Sequence, residues 1–157
     1  HCIPVDPYYL SWVAKKNKIK TNLIHNAGKI NSQMPSWIIN KTLKEKKIKN
    51  ALIVGVAYKK DLDDTRESPA IKFLNILKKK RVSVSYYDPI VKELKSRNFD
   101  YKLKSVKLNK KTIANYDCVF ITTDHSKINY ELIKKNANLI IDTRNVYKFP
   151  SKKILKL

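Results

Sequence analysis

From Ala51 the chain runs through seven apolar or small residues, ALIVGVA, that do not alternate with polar ones, and then through a charged loop into Ser68-Pro69. An unalternating run of this kind is the pattern of a parallel strand covered on both faces, because a strand with one wet face would place a polar residue at every second position. Ser68-Pro69 is a helix entry signal. The hydroxyl can accept a hydrogen bond from an orphan amide, and proline at the first helical position gives up no donor the helix needs. Between them the loop gathers Lys59, Lys60 and Arg66 with Asp61, Asp63, Asp64 and Glu67. A strand that delivers its loop onto a helix N-terminus is where open α/β sheets hold anionic ligands. The stretch therefore points to an α/β architecture and marks one sheet edge as a candidate site.

The remaining elements are placed around that stretch. Residues 1–6 are expected to form an entry loop, with Pro7 opening a helix that runs to about Lys18. A second helical pattern spans Asn22 to Lys46, its apolar residues recurring at three and four, and Pro35 should kink or restart it. Such a helical pair has too little of its own to bury and must pack on another domain, on another subunit or on the domain that follows it. After a short charged linker, strands are expected at 51–57, 82–87, 117–122 and 138–142, the last of the chain. Helices are expected at 68–80, 90–97, 111–116 and 130–135, while 101–108 is ambiguous. Strands alternating with helices imply a parallel sheet with right-handed crossovers.

The formal charge of +21 would fit a nucleic-acid binder. However, only Arg66, Arg81, Arg97 and Arg144 among the 34 basic residues are arginine, the residue that base-edge and bidentate phosphate recognition favours. The lysines are scattered rather than clustered, so we read them as solvated helix faces, and no nucleic acid is expected as a partner. No apolar stretch approaches the roughly 20 residues of a membrane helix. Two cysteines of different character give no disulfide framework, so a reducing, cytoplasmic setting is the default expectation. The three histidines and two cysteines show no metal-ligand spacing.

GVAYKKDLDDTRESP at 55–69 resembles the opening of the C-terminal domain of the UDP-glucose/GDP-mannose dehydrogenase family. HCIPVDP at 1–7 resembles that family's active-site cysteine segment, in the form seen in its UDP-N-acetylhexosamine branch. The resemblance implies a Rossmann-like parallel sheet that binds UDP over residues 49–157, preceded by a helical central and dimerisation segment over 1–48. It also implies a homodimer formed through that segment. Family members carry an N-terminal NAD-binding domain that nothing here matches, since with glycine only at Gly28 and Gly55 there is no G-x-G-x-x-G fingerprint. The chain is therefore expected to be part of a longer protein, with NAD held mainly by the missing domain, and to be inactive alone.

From the residues themselves, Cys2 lies in a proline-bounded loop with Asp6 four positions on, where a thiolate could be exposed and a carboxylate could act as base or orient water. A structural cysteine is the other reading of that spacing. By resemblance Cys2 is the nucleophile of a two-step, four-electron oxidation with two NAD, passing through a thiohemiacetal and a thioester to a uronic acid, and Asp6 is the base and water-activating aspartate. Val5 stands where many family members have lysine. Tyr58 and Lys59 correspond to a pair that contacts the UDP-sugar, Arg66 to an arginine that reaches NAD, and Arg144 to one that contacts substrate. Without the resemblance, Lys59 reads as an exposed lysine beside Asp61, and Arg66 as an ion pair with Asp63, Asp64 or Glu67. Cys118, in an apolar strand, is expected in the core, and His125 in a solvent-facing loop. The alternative function is a non-catalytic UDP-binding or scaffolding module.

Overall fold

The computed structural model describes residues 2–94 and 102–156. Its centre is a five-stranded sheet in the order β2-β1-β5-β6-β7. The strands are β1 (Asn50–Val54), β2 (Ser83–Tyr87), β5 (Cys118–Ile121), β6 (Ile140–Asp142) and β7 (Ile154–Lys156), and every neighbouring pair is parallel. This is the Rossmann-like α/β sheet preceded by helices that the resemblance implies. Alternate residues of β1 point to opposite faces. Ala51 and Ile53 join one core with Phe73, Leu74, Leu77, Tyr86 and Phe120, while Leu52 and Val54 join a second with Ile113, Val119, Ile133 and Ile140. Both faces are covered, which is why the run could be apolar throughout. Phe73 and Phe120 meet edge to face, with ring centroids 5.6 Å apart, a geometry worth about 0.5–1.5 kcal/mol beyond its buried area.

Helix α3 (Pro69–Lys79) starts as its sequence specifies: the Ala70 amide donates to Ser68 Oγ at 3.3 Å, and Pro69 occupies the first turn. Ala70, Phe73, Leu74 and Leu77 form its buried face. Helix α2 (Asn22–Glu45) is one continuous element through Pro35, not two. Its C-terminal half packs Ile38, Ile39 and Leu43 into the core that α3 shares, and Pro35 is itself buried there. Helix α1 (Cys2–Lys16) buries no residue and lies on the N-terminal half of α2, where Gly28 admits Tyr8 so closely that a Cβ would stand 2.6 Å from Tyr8 Cζ.

Three expectations are corrected. The segment 1–6 is helical from Cys2 rather than a loop; Pro4 falls among the first-turn positions whose amides have no intrahelical acceptor, and Pro7 lies inside the helix. Residues 90–94 are not helical. The Asp88 carboxylate accepts the amides of Ile90 and Val91 at 2.9 and 3.0 Å, turning the chain into β3 (Glu93–Leu94), which pairs antiparallel with β4 (Leu103–Lys104). The rest of the expected 90–97 helix lies outside the described residues. Finally β6 is not the last strand, because Ile154–Lys156 adds β7 alongside it. The short helices α4 (Lys110–Ala114) and α5 (Tyr130–Asn136) are each N-capped by asparagine, Asn109 and Asn129.

Candidate functional site

The strand order reverses between β1 and β5: the chain leaves β1 for β2 on one side and returns to β5 on the other. Loops leaving the carboxyl ends of two such strands diverge and open a crevice, the usual ligand position in open α/β sheets. Here the crevice is framed by 55–67 after β1, 122–126 after β5 and 143–147 after β6. Gly55 has φ of +81°, and a Cβ there would lie 2.7 Å from Thr123 Cβ and collide with the Thr123 carbonyl, so only glycine lets the two chains approach. The hydroxyl of Thr123 donates to the Ala57 carbonyl at 2.6 Å, and that of Thr122 to the Gly55 carbonyl. These bonds tie the rims of the two strands together.

The loop after β1 is closed by the Tyr58 amide, which donates to the Asp64 carbonyl at 2.6 Å. Lys59 is exposed on it. Arg66 forms a two-pronged bond with Asp64, Nε to Oδ1 at 3.0 Å and NH2 to Oδ2 at 2.8 Å, while its side chain remains 78% exposed. Those hydrogen bonds hold the Asp64 carboxyl down at about 2. The sequence reading of Arg66 as an ion pair thus has its partner in Asp64. Arg144 donates from Nε to Asp124 Oδ1 at 3.1 Å and is about half exposed. Its own amide donates to the buried Asp142, whose other oxygen accepts the Tyr147 amide.

The crevice floor holds a group that sequence reasoning placed wrongly. His125 is fully buried rather than solvent-facing. Its Nε2 lies 3.0 Å from Asp88 Oδ2, and its Nδ1 lies 2.9 Å from the amide nitrogen of Asp61. Asp88, also fully buried, accepts the Val56 and Ala57 amides on Oδ2 at 2.7 and 3.3 Å and the Ile90 and Val91 amides on Oδ1. Burial pushes its carboxyl up, but the hydrogen bonds from His125 and the backbone amides outweigh it, and the net direction is below the ordinary value. The Asp61 carboxylate accepts the hydroxyl and amide of Ser126 at 2.7 and 2.8 Å, which lowers its pKa. The missed signal was that Asp88 and His125 both follow strands that flank β1.

Cys2 and Asp6 stand elsewhere. Both are exposed on α1, one helical turn apart, so they share a face of that helix. Among the described residues, no hydrogen bond or ion pair joins either to the crevice. The first turns of α1 border a cleft of about 600 Å³ lined by Ile3, Pro4, Tyr8, Ala27, Glu67 and Lys72, which reaches the residue after Arg66. The structure brings Tyr58, Lys59, Arg66 and Arg144 to one sheet edge and leaves the cysteine and its aspartate on the helix beyond that cleft. Cys118 is buried as expected, and burial pushes its thiol far up. Among the described residues no cluster of metal-ligating side chains occurs, and no helix is long and apolar enough to cross a membrane.

The chain is similar to a UDP-N-acetyl-D-mannosamine dehydrogenase of Methanococcus vannielii, 35% identical over 93% of this chain and 34% of that protein. It is similar to the enzyme of that name from Pyrococcus horikoshii, 35% identical over 96% of this chain and 35% of that one. The solved structure of a UDP-D-ManNAc dehydrogenase from Pyrococcus horikoshii superposes with a TM-score of 0.75 at 32% identity, covering 99% of this chain and 37% of that one. The chain thus spans about a third of the length of the curated relatives it matches. Residues 52–149, which carry the crevice and the sheet apart from β7, match the UDP binding domain of the UDP-glucose/GDP-mannose dehydrogenase family, and to that family the chain belongs.

Proposed function

We propose that this chain is the C-terminal part of an NAD-dependent nucleotide-sugar 6-dehydrogenase acting on a UDP-hexose or UDP-N-acetylhexosamine in polysaccharide precursor synthesis. The observation that carries the reading is the crevice at the strand-order reversal, where Lys59 and Arg144 offer positive charge to a diphosphate, within a domain that matches a UDP-binding family. Residues 49–157 bind UDP and residues 1–48 form the central helical segment. Lys59 meets the pyrophosphate as a point charge, with Tyr58 beside it, and Arg144 supplies a planar donor fork once Asp124 shares it.

Cys2 serves as nucleophile. Its thiolate adds to the C6 aldehyde made in the first oxidation, giving a thiohemiacetal; loss of a hydride in the second gives a thioester, and water oriented by Asp6 releases the uronic acid and restores the thiol. NAD, when bound, supplies the hydride acceptor for both oxidations. Among this chain's residues Arg66 fits the dianionic pyrophosphate of such a cofactor: its guanidinium is largely exposed and, among the described residues, is engaged along one edge by Asp64, which leaves donors for a phosphate. The glycine-rich loop that would cradle the dinucleotide is expected in an upstream domain.

The helical segment also exposes large apolar side chains. Ile3 and Leu23 are each 83% exposed, with Tyr9, Leu10, Trp12 and Ile30 more than half exposed. This supports a homodimer through α1 and α2. The test of the catalytic assignment uses the full-length protein. Cys2→Ser should abolish NADH production from UDP-acetamidohexoses and UDP-hexoses alike, and unchanged production rejects it. A second reading, a UDP-binding module without catalysis, draws on the separation of Cys2 from the crevice. It predicts UDP binding by calorimetry, lost in Lys59→Ala and Arg144→Ala, with no turnover in any context.

A further inference from the structure

His125 sits where the segments after β1, β2 and β5 meet, and the geometry fixes its chemical form. The Asp61 backbone nitrogen can only donate, so the His125 Nδ1 atom 2.9 Å away must accept and carries no proton. The proton of the neutral ring is therefore on Nε2, where Asp88 Oδ2 accepts it at 3.0 Å. The same carboxylate oxygen accepts the amides of Val56 and Ala57, the two residues that lead into Tyr58-Lys59. Asp61, two residues past Lys59, has φ of +58°, a left-handed conformation that aspartate adopts more readily than most residues. The His125 bond to its amide and the Ser126 bonds to its carboxylate hold it there. On the other side of His125, Asp124 holds Arg144. One buried imidazole thus has the lysine loop bonded to its ring and the arginine's partner as its chain neighbour.

We infer that His125 is a positioning residue for nucleotide recognition: as the Nε2–H tautomer locked by Asp88, it pins the Asp61 amide so that Lys59 and Arg144 stand at the same crevice ready for a pyrophosphate. The inference rests on the reading of that crevice as the UDP site. A histidine that merely filled space could be replaced by any residue of similar size; one acting through its nitrogens distinguishes the two amide side chains. Asparagine carries its oxygen near the Nδ1 position and keeps the acceptor for Asp61. Glutamine carries its nitrogen near the Nε2 position, keeps the donor to Asp88 and loses that acceptor.

The experiment measures UDP affinity by calorimetry in the full chain for wild type, His125→Asn and His125→Gln. Ring nitrogen chemical shifts and exchange of the Asp61 amide are measured by NMR. The expected result is an Nε2-protonated ring, a slowly exchanging Asp61 amide in wild type and His125→Asn, and near-native UDP affinity in His125→Asn. His125→Gln is expected to exchange that amide quickly and to bind UDP about tenfold more weakly, the loss of one hydrogen bond. Equal affinity in both variants, or a ring protonated on Nδ1, overturns the inference while leaving UDP binding intact. Failure of wild type to bind UDP overturns the reading of the site, and with it the role of His125. Should His125→Gln not fold, Ser126→Ala, which removes only an exposed hydroxyl from Asp61, takes its place: UDP binding weakened about threefold supports the pinned loop, and unchanged binding rejects it.

Discussion

Replacing Asp88 by asparagine tests whether the crevice is held together by one buried carboxylate. The native group accepts five hydrogen bonds, three on Oδ2 from Val56, Ala57 and His125 and two on Oδ1 from Ile90 and Val91. An amide has one oxygen. Oriented to keep the three-donor side, it turns its NH2 group toward the Ile90 and Val91 amides, and one half-buried and one buried donor lose their acceptor at about 1–3 kcal/mol each. The three surviving bonds also weaken, because they lose their ionised partner. The total is about 3–6 kcal/mol, a large share of the roughly 5–15 kcal/mol that holds a domain folded. Urea unfolding followed by circular dichroism should show it as a midpoint lowered by about 1.5–3 M at a slope near 2 kcal/mol per M. The pH dependence has a definite sign. Since the folded-state pKa of Asp88 lies below its ordinary value, its ionised form stabilises the fold above about pH 4 and that contribution fades as pH falls through the lower folded value. The gap between wild type and Asp88→Asn should therefore narrow on acidification below about pH 4. A midpoint shift under about 0.5 M, or a gap that widens in acid, refutes the reasoning.

Gly55→Ala combines a backbone at φ of +81° with a Cβ placed 2.7 Å from Thr123 Cβ, and should cost about 2–5 kcal/mol in the same unfolding assay. In Arg66→Ala the Asp64 carboxyl should rise from about 2 toward the ordinary aspartate value near 4, as read by NMR titration, with little change in stability because the pair is at the surface. Leu23→Glu, on the exposed apolar face of α2, should shift sedimentation equilibrium toward monomer without altering the circular dichroism of the sheet; an unchanged mass would remove that face from the interface.

The residues around β1 were legible because their instructions are local. An apolar run without alternation, a charged loop and a Ser-Pro entry each carry their meaning within a few positions, and the structure follows them to within three residues. The places of Lys59 and Arg144 after strand ends were legible for the same reason, while the roles expected of them rest on the family resemblance. His125 was not. Nothing in the polar segment around it signals burial, which comes from Asp88, 37 residues earlier, and from Asp61, 64 residues earlier. Local pattern also failed at 90–94, where the side chain of Asp88 captures two amides that a helix would have used, and at β7, whose three residues lie among lysines and gain strand character only by pairing with β6. At the amino end the prolines read as a loop, although the first of them costs an α-helical first turn nothing.

The position of β1 between β2 and β5 has a consequence for biosynthesis. Ala51 finds its second neighbour only when Cys118 has been made, so at about 5–20 residues per second a strand with four consecutive buried apolar residues waits several seconds with one edge unpaired. During that interval the nascent chain displays a sticky ribbon that can recruit another like it. Ribosome-released chains that stop before Cys118 should accumulate as insoluble aggregates, and chains that include β5 should not.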